Sequence, residues 1–297
     1  MQRRNVLCFG EALWDVTPDG RTPGGAPMNV ALRLAGFGVD TQLLTRVGND
    51  EPGRELLKFL AGHGLATEHI QVDSRMPTGR VNVDMSTPES VSYEILVPAA
   101  WDFVDADEYL ASVGTPCEIV VFGSLAAREP ASRGSLMRLL EHAQLGVFDV
   151  NLRPPFDERA AIEPLLRAAN WAKLNEDELT VVAQWLGVSG SPRQMLVAIG
   201  EQYEIDLVCA TFGGRGAMML HEGAVIEQQG FDVAVVDTIG CGDAFLGAWL
   251  AQILDGVEPA QALERACAAG AVVASAAGAN PAVTDAMIDA VIASAPC

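Results

Sequence analysis

The 297-residue sequence predicts an α/β fold whose mostly parallel sheet is covered by helices on both faces. Three observations carry this. Short apolar or β-branched runs alternate with longer helical patterns along most of the chain. The short runs are continuously apolar, as strands buried on both faces must be. One region breaks the rhythm: Gly79 to Met85 and Val91 to Val97 alternate polar and apolar residues around T-P-E-S, the pattern of a half-exposed hairpin.

In order, the strands expected are Val6 to Phe9, Gln42 to Val47, Ile119 to Phe122, Gly146 to Val150, Ala172 to Leu174, Leu207 to Thr211, Ala217 to Leu220 and a short Ala234 to Val236. The helices expected are Pro27 to Ala35, Pro52 to His63, Ala131 to His142, Glu158 to Ala169, Glu176 to Leu186, Pro192 to Gln202, Asp243 to Leu254, Pro259 to Ala276 and Thr284 to Ser294. Pro27 presets the first helix start, and Asn175 with Glu178 forms a capping box before another. Trp14 to Arg21 could join the hairpin in a small β-flap above the α/β core, a device that excludes water from a reaction.

A formal charge of −20 argues against nucleic acid and anionic membrane as partners, since both need clustered Lys and Arg. Only Lys58 and Lys173 are lysines, and neither follows a G-x-x-x-x-G run, so a P-loop kinase is excluded. Six scattered cysteines without C-x-x-C spacing, and four dispersed histidines, fit a reducing cytoplasm better than a disulfide or zinc framework. No apolar run is long enough to cross a bilayer, and the one near the start is too short for a signal peptide.

Residues 237 to 245, D-T-I-G-C-G-D-A-F, say most about chemistry. Gly240 and Gly242 let the backbone turn sharply, so the amides of Gly240, Cys241 and Gly242 can face one anion at a helix N-terminus. Asp243 follows on the first turn. A carboxylate beside an anion hole suits phosphoryl transfer, the amides holding the phosphoryl and the acid taking the acceptor's proton. G-G-A-P-M-N places Gly24 and Gly25 where a ligand can approach the backbone and Asn29 where an amide can meet hydroxyls. Asp15 lies beyond the first strand, where ligands of open α/β sheets bind. Asn175 and Glu178 offer a phosphate contact and a water-mediated Mg²⁺ ligand besides their capping role. Thr211 and Gly213, in T-F-G-G-R-G, end another strand with polar groups and free amides, as D-V-N-L-R does at 149–153.

In chain order G-E-A-L-W-D, G-G-A-P-M-N-V-A, R-V-G-N-D, F-G-S-L-A, D-V-N-L-R, N-E-D-E, T-F-G-G-R-G and D-T-I-G-C-G-D-A-F resemble the ribokinase-like carbohydrate kinases of the PfkB family, and within it the fructokinases. The resemblance implies one ribokinase-like three-layer α/β/α domain over 1–297, with a β lid from about 14–21 and 78–98. It implies an ATP-dependent kinase acting on a sugar hydroxyl, fructose first. Alternatives are 2-keto-3-deoxygluconate, an inositol-derived sugar acid or a nucleoside, and, in another class, a non-catalytic sugar- or nucleotide-binding regulator. By resemblance Asp243 is the base and the amides of 240–242 the anion hole. Asp15, Gly24, Gly25 and Asn29 hold the sugar, while Asn175, Thr211 and Gly213 contact the nucleotide. Glu178 serves Mg²⁺ through water, and Asp237 with 274–278 lines a monovalent-cation site suited to K⁺. The family's usual alanine between the two glycines is Cys241 here. An exposed flap edge would suit a homodimer.

Overall fold

The computed structural model describes residues 5–18, 20–87, 90–113 and 117–295. The strands are β1 (Val6–Phe9), β2 (Leu13–Thr17), β3 (Gly20–Gly24), β4 (Thr41–Gly48), β5 (Ile70–Asp73), β6 (Gly79–Thr87), β7 (Ser90–Ile95), β8 (Ile119–Gly123), β9 (Leu145–Asp149), β10 (Trp171–Asn175), β11 (Leu207–Thr211), β12 (Ala217–His221) and β13 (Ala224–Gln228). The helices are α1 (Ala26–Gly36), α2 (Glu51–Gly62), α3 (Ala106–Ser112), α4 (Pro130–His142), α5 (Arg159–Ala168), α6 (Glu176–Trp185), α7 (Pro192–Tyr203), α8 (Cys241–Leu254), α9 (Pro259–Ala274) and α10 (Asp285–Ala293).

Nine strands form the main sheet in the order β13-β12-β11-β10-β9-β8-β1-β4-β5. The pairings from β11 through β5 are parallel, and β12 and β13 close one edge antiparallel. Period-two alternation splits the strands between two cores. Leu7, Phe9, Val120, Phe122 and Phe148 face α3 to α7, while Val6, Cys8, Val121, Val147 and Cys209 face α1, α2, α8 and α9. Each helix buries the stripe that meets its face, for example Leu246, Trp249 and Leu250 of α8.

The strand order reverses at β1, flanked by β8 on one side and β4 on the other. Chain leaving β1 therefore enters the crevice where open α/β sheets bind ligands. It runs straight into a second, four-stranded sheet in the order β3-β2-β6-β7. Segments 79–85 and 91–97 pair antiparallel as the alternation required, but Pro88 and Glu89 of the T-P-E-S turn lie outside the described residues. Leu13 to Thr17 and Gly20 to Gly24 supply the other two strands.

The strand expected at 234–236 does not form. Val235 and Val236 are more than 60 % exposed, and the amides of Val236 and Asp237 donate to the carbonyl of Ala274 at the end of α9. The backbone of this run is tied to the end of α9 instead of to a neighbouring strand.

Candidate active site

The motif at 237–245 forms a turn into α8. Gly240 is left-handed, φ 78°, and caps the helix, and a Cβ there would collide with the Ala279 carbonyl, so only glycine fits. The amide of Cys241 folds back to Thr238 O at 3.3 Å. Among the described residues the amides of Gly240, Gly242 and Asp243 find no acceptor, leaving a nest of free N–H groups at the positive end of α8. Asp237 closes the turn, its carboxylate accepting from Ile239 N and Gly278 N, both at 3.0 Å.

Asp243 Oδ2 accepts from Asn29 Nδ2 at 2.7 Å. Asn29 is buried on the first turn of α1, and its other end accepts from Asn280 Nδ2 at 2.8 Å. Three segments distant in sequence thus fix one carboxylate. Burial raises the Asp243 pKa to about 6, with nearby Asp149 adding to it; Asn29, Lys173 and Arg153 moderate the rise. A carboxylate poised there is mostly ionised at neutral pH and still basic enough to accept a proton.

Asp15 projects from β2 on the face of the small sheet that carries Thr22 and Val81, its cross-strand partners. Burial likewise lifts it to about 6; Arg153 lowers it and the Asp243 charge raises it. A Cβ at Gly24 would displace the Asp15 carboxylate, and Gly25, φ 115°, must lack a side chain because a Cβ would strike the Glu11 carbonyl. Glu11 itself is buried, with Oε2 unpartnered among the described residues and its pKa pushed to about 7 chiefly by burial.

Asn175 caps α6, taking the Glu178 amide at 2.9 Å, and Glu178 returns a bond from the Asn175 amide at 2.9 Å. The capping box forms, and the other Glu178 oxygen accepts from Leu152 N at 3.0 Å. Thr211 stands beside Asn175 in the β10–β11 register, and Gly213 opens an exposed turn just beyond, φ 58°. These three make a ledge at the strand ends.

Two charged groups not singled out in the sequence belong here. Lys173, on β10, is buried and binds both oxygens of Asp149, on β9, at 3.0 and 3.2 Å. Arg153, following β9, lowers the pKa of Glu11, Asp15 and Asp243 together. Their traces in the sequence are a lone charge inside the strand W-A-K-L-N and the arginine of D-V-N-L-R. A groove of about 390 Å³ lies on the other face of the small sheet, lined by Trp14, Arg21, Pro52 and Arg80. It holds none of the acids above.

Among the described residues no three His, Cys, Asp or Glu side chains cluster as direct metal ligands. Oxygen donors are nonetheless what Mg²⁺ prefers, and it keeps several waters. Glu178, both oxygens already engaged by amides, fits it only through water. Among the described residues no helix is long and apolar enough to cross a membrane.

Comparison with known proteins identifies the family and the fold. The pfkB family carbohydrate kinase family matches residues 4–286. The chain is 31% identical over 265 residues to a fructokinase of Escherichia coli, covering 82% of this chain and 83% of that one. It is 28% identical over 272 residues to a 2-dehydro-3-deoxygluconokinase of Thermoproteus tenax, covering 87% and 81%. The fructokinase of Vibrio cholerae O395, solved with fructose, ADP and calcium ion bound, superposes with a TM-score of 0.85 at 26% identity over 97% of this chain and 99% of that one.

Proposed function

The chain belongs to the pfkB family of carbohydrate kinases, and on that premise we propose that it transfers the γ-phosphoryl of Mg·ATP to a hydroxyl of a small sugar, with fructose as the sugar. One observation carries the reading: the Asp243 carboxylate, held by Asn29, stands on the first turn of α8 beside amides that find no acceptor among the described residues.

A sugar lying between Asp15 and Asp243 has acceptors on both sides for its hydroxyls. Asp243 takes the proton of the attacking hydroxyl, and a carboxylate of pKa about 6 does so near neutral pH. The amides of Gly240, Gly242 and Asp243 receive the oxygens of the phosphoryl as it moves, with no reorganisation needed. The ledge of Asn175, Thr211 and Gly213 carries the rest of the nucleotide. Glu178 would hold Mg²⁺ through water, and the ion would supply neutralisation of phosphate charge there. The small sheet acts as a lid that keeps water from the phosphoryl.

A sugar acid is the second reading. Arg153 sits exposed beside the acids, where a substrate carboxylate would meet it, and 2-dehydro-3-deoxygluconokinase is among the relatives. An ADP-release assay over fructose, other sugars, 2-dehydro-3-deoxygluconate and nucleosides decides between them. Turnover highest on fructose is expected; turnover confined to the sugar acid replaces fructose, and nucleotide binding without turnover on any acceptor overturns the kinase reading.

A further inference from the structure

Lys173 occupies a position that stability does not account for. It lies on the sheet face that carries the core under α1, α2, α8 and α9, in the row with Asp149 and Cys209 and against the N-terminus of α8. A buried Lys–Asp pair costs roughly as much in desolvation as it returns, and apolar residues of similar size serve a core as well. Its place in the site is more telling. A Cβ built on Gly242 would lie 2.9 Å from Lys173 Nζ, so the ammonium sits directly behind the amide nest. Gly242 lacks a side chain at the one point where it would press on that ammonium.

Charge makes the same point. Asp149, Glu178 and Asp243 all act on Lys173, and Lys58, the other lysine, is on α2. Burial alone would lower the Lys173 pKa, but the three carboxylates outweigh it and hold the ammonium charged. Without Lys173 an incoming phosphoryl would meet a nest backed by negative charge. Two of its N–H groups go to Asp149, and the third has no acceptor among the described residues.

We propose that Lys173 is a further catalytic residue of this kinase, donating its third N–H through the gap at Gly242 to an oxygen of the transferring phosphoryl. The inference rests on the kinase reading. In the step, the bond from the γ-phosphorus to the ADP oxygen breaks, its electrons leaving with ADP. The bond to the sugar oxygen forms, and the sugar proton goes to Asp243. Lys173 keeps its proton throughout and counters charge on the phosphoryl oxygens.

The test separates this role from simple neutralisation of Asp149. Affinities for ADP and for a β,γ-imido ATP analogue are measured by calorimetry in wild type, Lys173→Met, Asp149→Asn and the Lys173→Met/Asp149→Asn double variant. Lys173→Met should lose about 10- to 100-fold of its preference for the analogue over ADP, the worth of a charge-assisted hydrogen bond. Turnover should fall about 10²- to 10³-fold, as when one oxyanion donor is removed. The double variant, which buries no unpaired carboxylate, should recover thermal stability while staying deficient in both. Recovery of preference and turnover in the double variant overturns the proposal, as does wild-type preference in Lys173→Met. Preference is read from binding alone, so it answers even if no sugar in the panel is phosphorylated. Wild type that binds neither nucleotide overturns both readings.

Discussion

Replacing Asp243 by Asn tests the proposed chemistry most directly. The change is nearly isosteric, and the new side-chain oxygen can still accept from Asn29 Nδ2, now 2.7 Å from the carboxylate, so the bridge to α1 survives. What is lost is the capacity to take a proton. A positioned base contributes about 10² to 10⁴ in rate, or about 3–5 kcal/mol of barrier, and turnover should drop by that factor with nucleotide affinity nearly unchanged. The pH profile gives a second readout. Because the Asp243 pKa is raised to about 6, wild-type kcat/KM should fall on the acid side with an apparent pKa near 6, as protonation removes the base. Stability moves the other way. A carboxyl whose pKa is higher folded than unfolded favours the fold below its ordinary pKa of 3.8, and that contribution is lost as pH rises through about 6. At pH 7.5 the ionised group is therefore a burden of about 1–3 kcal/mol, taken below the full shift because the residue keeps some solvent contact. Asp243→Asn should raise Tm by a few degrees at pH 7.5, with the gain vanishing at pH 3.5. Turnover within a few-fold of wild type, or an acid limb near pH 4, would refute the assignment.

Three further perturbations probe the frame around that carboxylate. Asn29→Ala removes the donor that favours the charged form of Asp243, so the acid limb should move above pH 6 and sugar KM should rise; an effect on ATP alone would show that Asn29 faces the other substrate. Gly240→Ala forces a side chain into φ 78° against Ala279 and should cost about 1–3 kcal/mol in a denaturant melt, whereas Gly36→Ala, with open space at the end of α1, should cost nothing. Cys241 sits at a helix N-terminus, which lowers a thiol pKa, yet burial first, then Asp237 and Asp243, push it to about 11. Iodoacetamide at pH 7.5 should therefore inactivate slowly and Cys241→Ala should keep its turnover; rapid inactivation that Mg·ATP slows and Cys241→Ala abolishes would show a reactive thiolate instead.

Local chemistry made much of this protein legible from the chain alone. Continuous apolar runs such as V-L-C-F and I-V-V-F can only be strands buried on both faces, and they are. The turn at Gly240 and the capping box at Asn175 and Glu178 are short-range geometry, set by residues within a few positions of one another. Where a strand depends on its neighbour, local pattern failed in both directions. V-V at 235–236 has strand propensity and no partner; G-R-T-P-G at 20–24 has little propensity but becomes β3 because β2 pairs with it. The site's electrostatics lay further still from the sequence. Asn29 reaches Asp243 across 214 residues and Asn280 reaches Asn29 across 251, while Lys173 meets Asp149 only because β9 and β10 are adjacent in register. The pKa of Asp243 follows from those contacts and from burial, both created when α1, α8 and the strand ends close on one crevice. Sequence alone determined the local turns, caps and strand runs that carry the candidate residues; tertiary structure decided their charge and their partners, Lys173 and Arg153 among them, because Coulomb interactions and desolvation depend on distance through space and not along the chain.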